Sequence, residues 1–236
     1  MSFRGRTVLA VVPARGGSRG IPRKNLCKLG GLSLVARAGR VAGALGFVDC
    51  AILSTDDEEI AEEGRRVGLE VPFLRPPELS GDRASALDTW RHAWLEAEAR
   101  QGQRFEISVW LEPTSPLRRP EDVTRTVEAL CSGGRNAAMT VSRIPGHFTP
   151  ERTLCVEADG RVRPFVPEGF SYTARQAVPP RYHRNGLAYA ATREGVLEAG
   201  QAVWDDCVAV VVDRPVANVD EVIDLEWAAF LLARDG

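Results

Sequence analysis

Apolar positions along the chain fall into two alternating patterns. Short unbroken runs have the length of buried strands, and longer stretches repeat apolar residues every three or four positions, as one face of a helix does. The first kind includes Val8–Val12, Cys50–Leu53, "ISVWL", "AAMTV", "LAYAA" and "CVAVVV". The second includes Ser33–Leu45, with Leu34, Ala38, Val41 and Leu45 on one stripe, and a helix marked by Leu87, Trp90, Trp94 and Ala97. Thr55 and Glu58 have capping-box spacing and open a helix through Val67. Pro120 suits the first turn of a helix through Leu130, and Val222, Leu225, Ala229 and Leu232 mark the last one. Strands alternating with helices predict an α/β fold, with a mostly parallel sheet covered on both faces.

The rhythm breaks between about 143 and 184. Prolines at 145, 150, 164, 167, 179 and 180 interrupt any long element there. Two strand-like pieces, "LCVEA" and "RVRPF", flank Asp159-Gly160, a hairpin signal. This stretch reads as an arm or lobe inserted into one domain that spans residues 1–236.

Composition narrows the class. Charged residues make up 26% and the formal net charge is −2, so the basic excess of a nucleic-acid or anionic-membrane binder is missing. No apolar run reaches transmembrane length. The apolar run near the N-terminus meets Pro13 and Arg15 at once, too soon for a signal-peptide core. The 5 cysteines are widely spaced with no C-x-x-C, which indicates neither a disulfide framework nor a zinc site and points to a cytoplasmic protein with reduced thiols.

Against this near-neutral background one loop stands out. In "VVPARGGSRGIPRKN", Val11–Asn25, the chain leaves its first strand with Arg15, Arg19, Arg23 and Lys24 and no acidic residue, and Lys28 follows. Like charges so close repel unless an anion lies among them. "GGSRG" matches G-x-S-x-G, but a nucleophile elbow requires an immediate strand–turn–helix, and Pro22 follows instead. Neither a Walker A loop nor G-x-G-x-x-G is present. Two readings stay open: a solvated Arg-Gly loop, and a phosphate-binding loop. In the second, Gly16, Gly17 and Gly20 let backbone N–H groups approach an anion while Arg15, Arg19 and Lys24 supply charge. The carboxyl end of a first strand is where open α/β sheets bind ligands.

"PARGGSRGIPRKN", followed in order by "LSTDDEEIAEE", "RPPEL", "LEPTSPLR", "RNGLAYA" and "VANVDEVIDLEWA", closely resembles the blocks of the CMP-sialic acid synthetase family. These are cytidylyltransferases that activate sialic acid and related nonulosonic acids. The likeness runs from about Thr7 to Leu231. It implies a Rossmann-like nucleotidyltransferase fold with a small protruding dimerisation lobe. It also implies transfer of CMP from CTP to the anomeric hydroxyl of an acidic sugar, with Mg2+ as cofactor and pyrophosphate as product.

By the same resemblance, Arg15, Ser18, Arg19 and Lys24 cradle the triphosphate and Asn25 meets the nucleoside. Ser54, Thr55 and Arg75 flank cytosine and ribose, and Asp220 is a metal ligand. Arg175, Gln176, Asn185 and Gly186 face the acceptor. The family more often has Lys where Arg19 stands, a change from point cation to planar fork. It usually has Gln where Glu112 stands, a second Asp where Asn218 stands, and often Arg where His183-Arg184 precedes the Asn-Gly pair. These last departures gather on the acceptor and metal side, which implies a CTP enzyme with an unusual acceptor.

Plainer readings compete. Asp220 is well placed to cap the last helix, Asn218 to be a cap or turn residue, Arg75 to be exposed, and Ser54 and Thr55 to start a helix. Asp56 and Asp57 favour the helix dipole, and Trp90 and Trp94 belong to the core rather than to a stacking platform. His183 reads as an arm or pocket-lining residue, not a general base. Two further functions are kept: CTP-dependent activation of a different acid, such as a deoxy-sugar acid or phosphonate, motivated by Glu112, and a non-catalytic nucleotide binder, motivated by Asn218.

Overall fold

The structure is a computed structural model that describes residues 3–18, 20–171, 178–199 and 204–235. Its main sheet has six strands: β1 (Val8–Pro13), β4 (Cys50–Ser54), β5 (Ile107–Trp110), β6 (Ala137–Arg143), β9 (Tyr182–Thr192) and β10 (Cys207–Val211). Their spatial order is β10-β6-β9-β5-β1-β4. β1 runs parallel to β4 and β5, and β10 parallel to β6. β9 is antiparallel to both neighbours. The expectation of a mostly parallel sheet therefore needs that one reversal: β9 returns from the 143–184 region rather than from a crossover helix.

Alternate residues of β1 feed two cores. Val8, Ala10 and Val12 join α1 (Leu34–Ala44), α2 (Glu58–Arg66) and α4 (Pro120–Gly133) on one face. Leu9 and Val11 join α3 (Ala86–Gln101) and α5 (Arg193–Leu197) on the other, where Trp90 and Trp94 are buried. A strand wet on neither face must read as an unbroken apolar run, which is why Val8–Val12 shows no alternation.

Helix starts follow local hydrogen-bonding chemistry. The Ser33 side chain caps α1 by accepting from Ala36 N, and Pro120 opens α4. The capping box expected at Thr55 and Glu58 is not how α2 begins. Asp57 is the N-cap, its carboxylate accepting from Ile60 N, while Thr55 Oγ1 accepts from Asp57 N. The Asp adjacent to the first turn wins because it adds charge to the cap.

The last helix, α6 (Val222–Asp235), also differs from its expected stripe. Val222 is 58% exposed, whereas Ala228 and Leu231 are buried against Leu29, Leu34 and Val219. Leu29 sits in a small ribbon, β2 (Lys28–Leu29) with β3 (Leu32–Ser33). Helix α6 thereby clamps the segment that follows the cationic loop. Between β6 and β9, β7 (Leu154–Val156) and β8 (Val162–Pro164) form a separate antiparallel ribbon, as the Asp159-Gly160 signal predicts. Phe148, Val156, Phe165 and Phe170 in this region are exposed.

Candidate functional site

β1 leads at Pro13 toward β4 and β5 at Trp110 toward β6, so the strand order reverses between these parallel neighbours, a switch point where an open α/β sheet parts its loops. A cavity of about 560 Å³ lies there. Arg15, Ser18, Lys24, Asn25, Arg75, Glu112 and Asp220 all line it, so residues up to two hundred positions apart converge on one site. Asp82, Trp110, Thr114 and Glu221 line it too, and the sequence reading did not single these out.

Cations of the first loop find carboxylates elsewhere in the chain. Arg15 Nη1 lies 2.9 Å from Asp82 Oδ1, and Lys24 Nζ lies 2.8 Å from Asp220 Oδ1 and 2.9 Å from the Val219 carbonyl. Arg23 turns away to Asp57 and Glu59 of the α2 start. The backbone N–H of Gly16 donates to Asp56 Oδ1. The two-way choice between a solvated loop and a polyanion thus omitted a third state, in which the free protein balances the loop with its own acids. Arg15 and Lys24 keep their charged ends at the cavity; Arg23 does not line it.

Close contacts fix the loop to the opposite wall. A Cβ on Gly20 would come 2.2 Å from the Asp220 carbonyl oxygen, so only glycine lets these two backbones approach. Asp220 is spared the capping role: Asp224 Oδ2 accepts from both Asp220 N and Glu221 N at the start of α6. The Asn25 amide donates to Arg15 O and holds the turn shut.

Several expected contact residues act from behind the wall. Ser54 and Thr55 are buried and do not line the cavity; Ser54 Oγ accepts from Arg75 Nε and Thr55 O from Arg75 N. They position Arg75 at the cavity wall, and burial holds the Arg75 guanidinium down to about 10. Asn185 is likewise buried, its amide donating to Ser142 Oγ while Oδ1 accepts from Thr140 Oγ1 and Leu187 N. This amide stabilises a register shift in β9 between Met139 and Val141 of β6. Gly186 sits in the shift with φ +73°, where a Cβ would meet Ser115 Oγ, Glu112 Oε2 and Asn218 Oδ1 at 2.5, 3.2 and 3.6 Å. Asn218 is exposed, outside the cavity lining, and its Nδ2 reaches Asp220 Oδ2 only at 3.5 Å. Arg19, Arg175 and Gln176 lie outside the described residues.

Glu112 stands where the cavity meets a second recess. Burial pushes its carboxyl up, against the Trp110 hydrogen bond and the positive charges of Arg118 and Arg184. Arg118, which sequence reasoning passed over at the end of "LEPTSPLR", is 6% exposed and spends its guanidinium on the carbonyls of Glu112, Gly186 and Leu187. It staples the loop after β5 to the irregular part of β9; burial holds it down to about 10. His183 is exposed, its Nδ1 at 3.0 Å from the Arg184 carbonyl.

The donor set suits a hard cation only in part. Asp220 offers carboxylate oxygens at the cavity, while Asn218 turns its Nδ2 toward Asp220 and its Oδ1 toward Ser115 Oγ, and no group of three or more His, Cys, Asp or Glu among the described residues could cage a metal. That fits an ion such as Mg2+, which commonly takes one or two carboxylates and completes its shell with substrate phosphates and water. All 5 cysteines are free, and no helix among the described residues is long and apolar enough to cross a membrane.

The chain is similar to known proteins in sequence and in fold. The chain is 28% identical over 224 residues to a pseudaminic acid cytidylyltransferase of Campylobacter jejuni, covering 94% of this chain and 95% of that one. It is 27% identical over 224 residues to a CMP-N,N'-diacetyllegionaminic acid synthase of Legionella pneumophila, covering 94% and 93%. Its fold superimposes on a CMP:2-keto-3-deoxy-manno-octonic acid synthetase complexed with CTP with a TM-score of 0.70 at 18% identity, over 98% of this chain and 100% of the other. Residues 9–146 match the family described as cytidylyltransferase, and the chain belongs to that family.

Proposed function

We propose that this protein transfers CMP from CTP to the anomeric hydroxyl of an acidic sugar of the nonulosonic class and releases pyrophosphate. The observation that carries the reading is the convergence of Arg15, Ser18, Lys24 and Arg75 on one cavity with Asp220 on its far rim. A nucleoside triphosphate brings roughly four negative charges, and each charge-assisted hydrogen bond contributes roughly 1.5–3 kcal/mol. Arg15 and Lys24 release Asp82 and Asp220 to take the phosphates, so the pocket exchanges internal ion pairs for ligand ones. Arg75, held rigid by Ser54 and Thr55, faces the nucleoside with Asn25.

The acceptor hydroxyl attacks the α-phosphorus, the bond to the pyrophosphate oxygen breaks, and loop cations offset the charge that leaves. When bound, Mg2+ supplies further charge on the phosphates; Asp220 would hold it, with Asn218 as a neutral oxygen donor. No described side chain is committed as a general base. Arg175 and Gln176 complete the acceptor side in this reading. The protein works as a cytoplasmic homodimer, a state supported by the exposed Phe148, Val156, Phe165 and Phe170 around the β7–β8 ribbon.

A second reading keeps CTP and changes the acid, favoured by Glu112 at the acceptor side. Both share one test, calorimetric binding of CTP, UTP, ATP and GTP to the parent protein. CTP should bind tightest, and Arg15→Ala or Lys24→Ala should weaken it without unfolding the chain. Equal binding of all four, or unchanged CTP affinity in both variants, overturns the assignment of this cavity.

A further inference from the structure

Beside the main cavity lies a second recess of about 200 Å³. Trp90, Trp110, Tyr189 and Trp204 line it, with Glu112 and Arg184 as its charged groups. Trp110 and Glu112 line both spaces, so the recess adjoins the place where the acceptor would sit. Its aromatic rings form two pairs: Trp90 with Trp110 at 5.5 Å between centroids, and Tyr189 with Trp204 at 5.9 Å.

Within this aromatic setting the Glu112 carboxylate is under-satisfied. Oε1 accepts one hydrogen bond, from Trp110 Nε1 at 3.3 Å. No described residue bonds Oε2, which approaches the open Cβ position of Gly186. The nearby cations act on it only through space: Arg118 spends its N–H groups on three backbone carbonyls, and Arg184, exposed at the rim, makes no ion pair with it. A carboxylate held by one hydrogen bond and no ion pair is costly to bury, and indole and phenol rings beside it attract a cation by their quadrupoles. Both features select the same ligand group.

We propose that this recess receives a substituent of the acceptor that carries a basic nitrogen, an amine or amidine, paired with Glu112 and surrounded by the aromatic rings. This rests on the cytidylyltransferase reading above and names the acceptor class within it. A neutral acylamino group would fill the same volume and donate one N–H, but it would leave the carboxylate charge unanswered. Arg184, exposed at the rim, would pair with the acceptor's own carboxylate. The acceptor is then held as a zwitterion, its anion at Arg184 and its cation at Glu112. Glutamine at position 112 would serve the neutral acylamino group equally well and the basic one poorly.

The test is pyrophosphate release with CTP and matched nonulosonic acids that differ only in bearing an acetamido, an amino or an acetamidino group. The parent should favour the basic acceptors by about tenfold or more in kcat/KM. Glu112→Gln should lose that preference, the rate with the basic acceptors falling at least about tenfold further than the rate with the acetamido acid. Intrinsic tryptophan fluorescence should change when a basic acceptor binds the parent with CTP present, since three indoles line the recess. An equal or greater rate with the acetamido acid in the parent, or an unaltered ratio in Glu112→Gln, overturns the inference. Tight CTP binding without turnover of any of these acids also overturns it while leaving the nucleotide reading intact. Failure to bind CTP removes the nucleotide reading itself and this inference with it.

Discussion

Lys24 and Asp220 stand 196 positions apart in sequence, yet Lys24 Nζ lies 2.8 Å from Asp220 Oδ1. Through this pair the loop that leaves the first strand is bound to the segment that opens the last helix. Lys24 is only 13% exposed at its side chain and Asp220 is 68% exposed, so the lysine is the anchored partner and the carboxylate the movable one. Under the proposed function a metal would compete with this ammonium for Asp220 in the free protein, and triphosphate engaging Lys24 would release the carboxylate.

Mg2+ should therefore bind the free protein weakly and the CTP-bound protein much better, as calorimetric titration with and without nucleotide will show. Asp220→Ala should abolish turnover. Asn218→Asp should be tolerated and tighten Mg2+, because it adds a second charged oxygen beside the first. Full activity of Asp220→Ala at saturating Mg2+ would place the ion elsewhere. Lys24→Ala should weaken CTP by roughly 1.5–3 kcal/mol, the contribution of a charge-assisted hydrogen bond.

Gly20→Ala probes the same junction through the backbone. The added methyl would lie 2.2 Å from the Asp220 carbonyl oxygen, so loop and rim must separate. Nucleotide affinity should drop at least about tenfold while the melting temperature changes little, since neither segment belongs to the sheet core. A variant that binds CTP as the parent does would show that the close approach has no bearing on the site.

Arg118→Leu leaves the carbonyls of Glu112, Gly186 and Leu187 without their donor inside the protein. Loss of hydrogen bonds to a buried charged group should cost about 3 kcal/mol or more. Chemical denaturation measures that cost. A loss below about 1 kcal/mol would mean that the staple is replaced by water.

Much of this organisation was legible in the residue pattern, and the exceptions share a cause. Val8–Val12 and the Trp90/Trp94 stripe reveal themselves because burial on both faces leaves no polar residue in the pattern. The reversal of β9 is invisible locally, since an apolar strand reads alike in either direction. Thr55 resembled a cap because spacing alone cannot say which of Thr55, Asp56 and Asp57 faces the helix. The α6 stripe was misjudged at Val222 and Ala229 for a similar reason: Ile223, Trp227 and Phe230 are apolar yet exposed, so periodicity offers two faces. At the site, residue identity picked out Arg15, Lys24, Arg75 and Asp220, which line one cavity. It could not tell them from Ser54 and Thr55, which sit one layer deeper and hold Arg75, or from Asn185, which holds the irregular part of β9. Arg118 would have been found by asking why a motif of small and cyclic residues ends in a cation.

Stability should also respond to acid through Glu98. Burial alone would raise its carboxyl, but hydrogen bonds from Arg193, Phe105 N and Trp94 outweigh that and hold it below the ordinary range. A carboxyl depressed on folding adds stability that is present above its unfolded value and is lost as pH falls through its folded value. Glu98→Gln should flatten the acid limb of a stability-versus-pH curve below the usual carboxylate range and leave the neutral-pH slope unchanged. An identical acid limb in parent and variant would remove Glu98 from the account.

The central claim is that the cavity between the first loop and Asp220 transfers CMP from CTP to a sugar acid. Phosphorus NMR of the protein with CTP, Mg2+ and a mixture of nonulosonic acids tests it most directly. The account predicts that the triphosphate resonances give way to pyrophosphate and a single sugar-linked CMP phosphodiester in equal amounts, only when the acid is present and not when ATP or GTP replaces CTP. Acid-independent hydrolysis of CTP, or the same phosphodiester formed from any nucleotide, would contradict it.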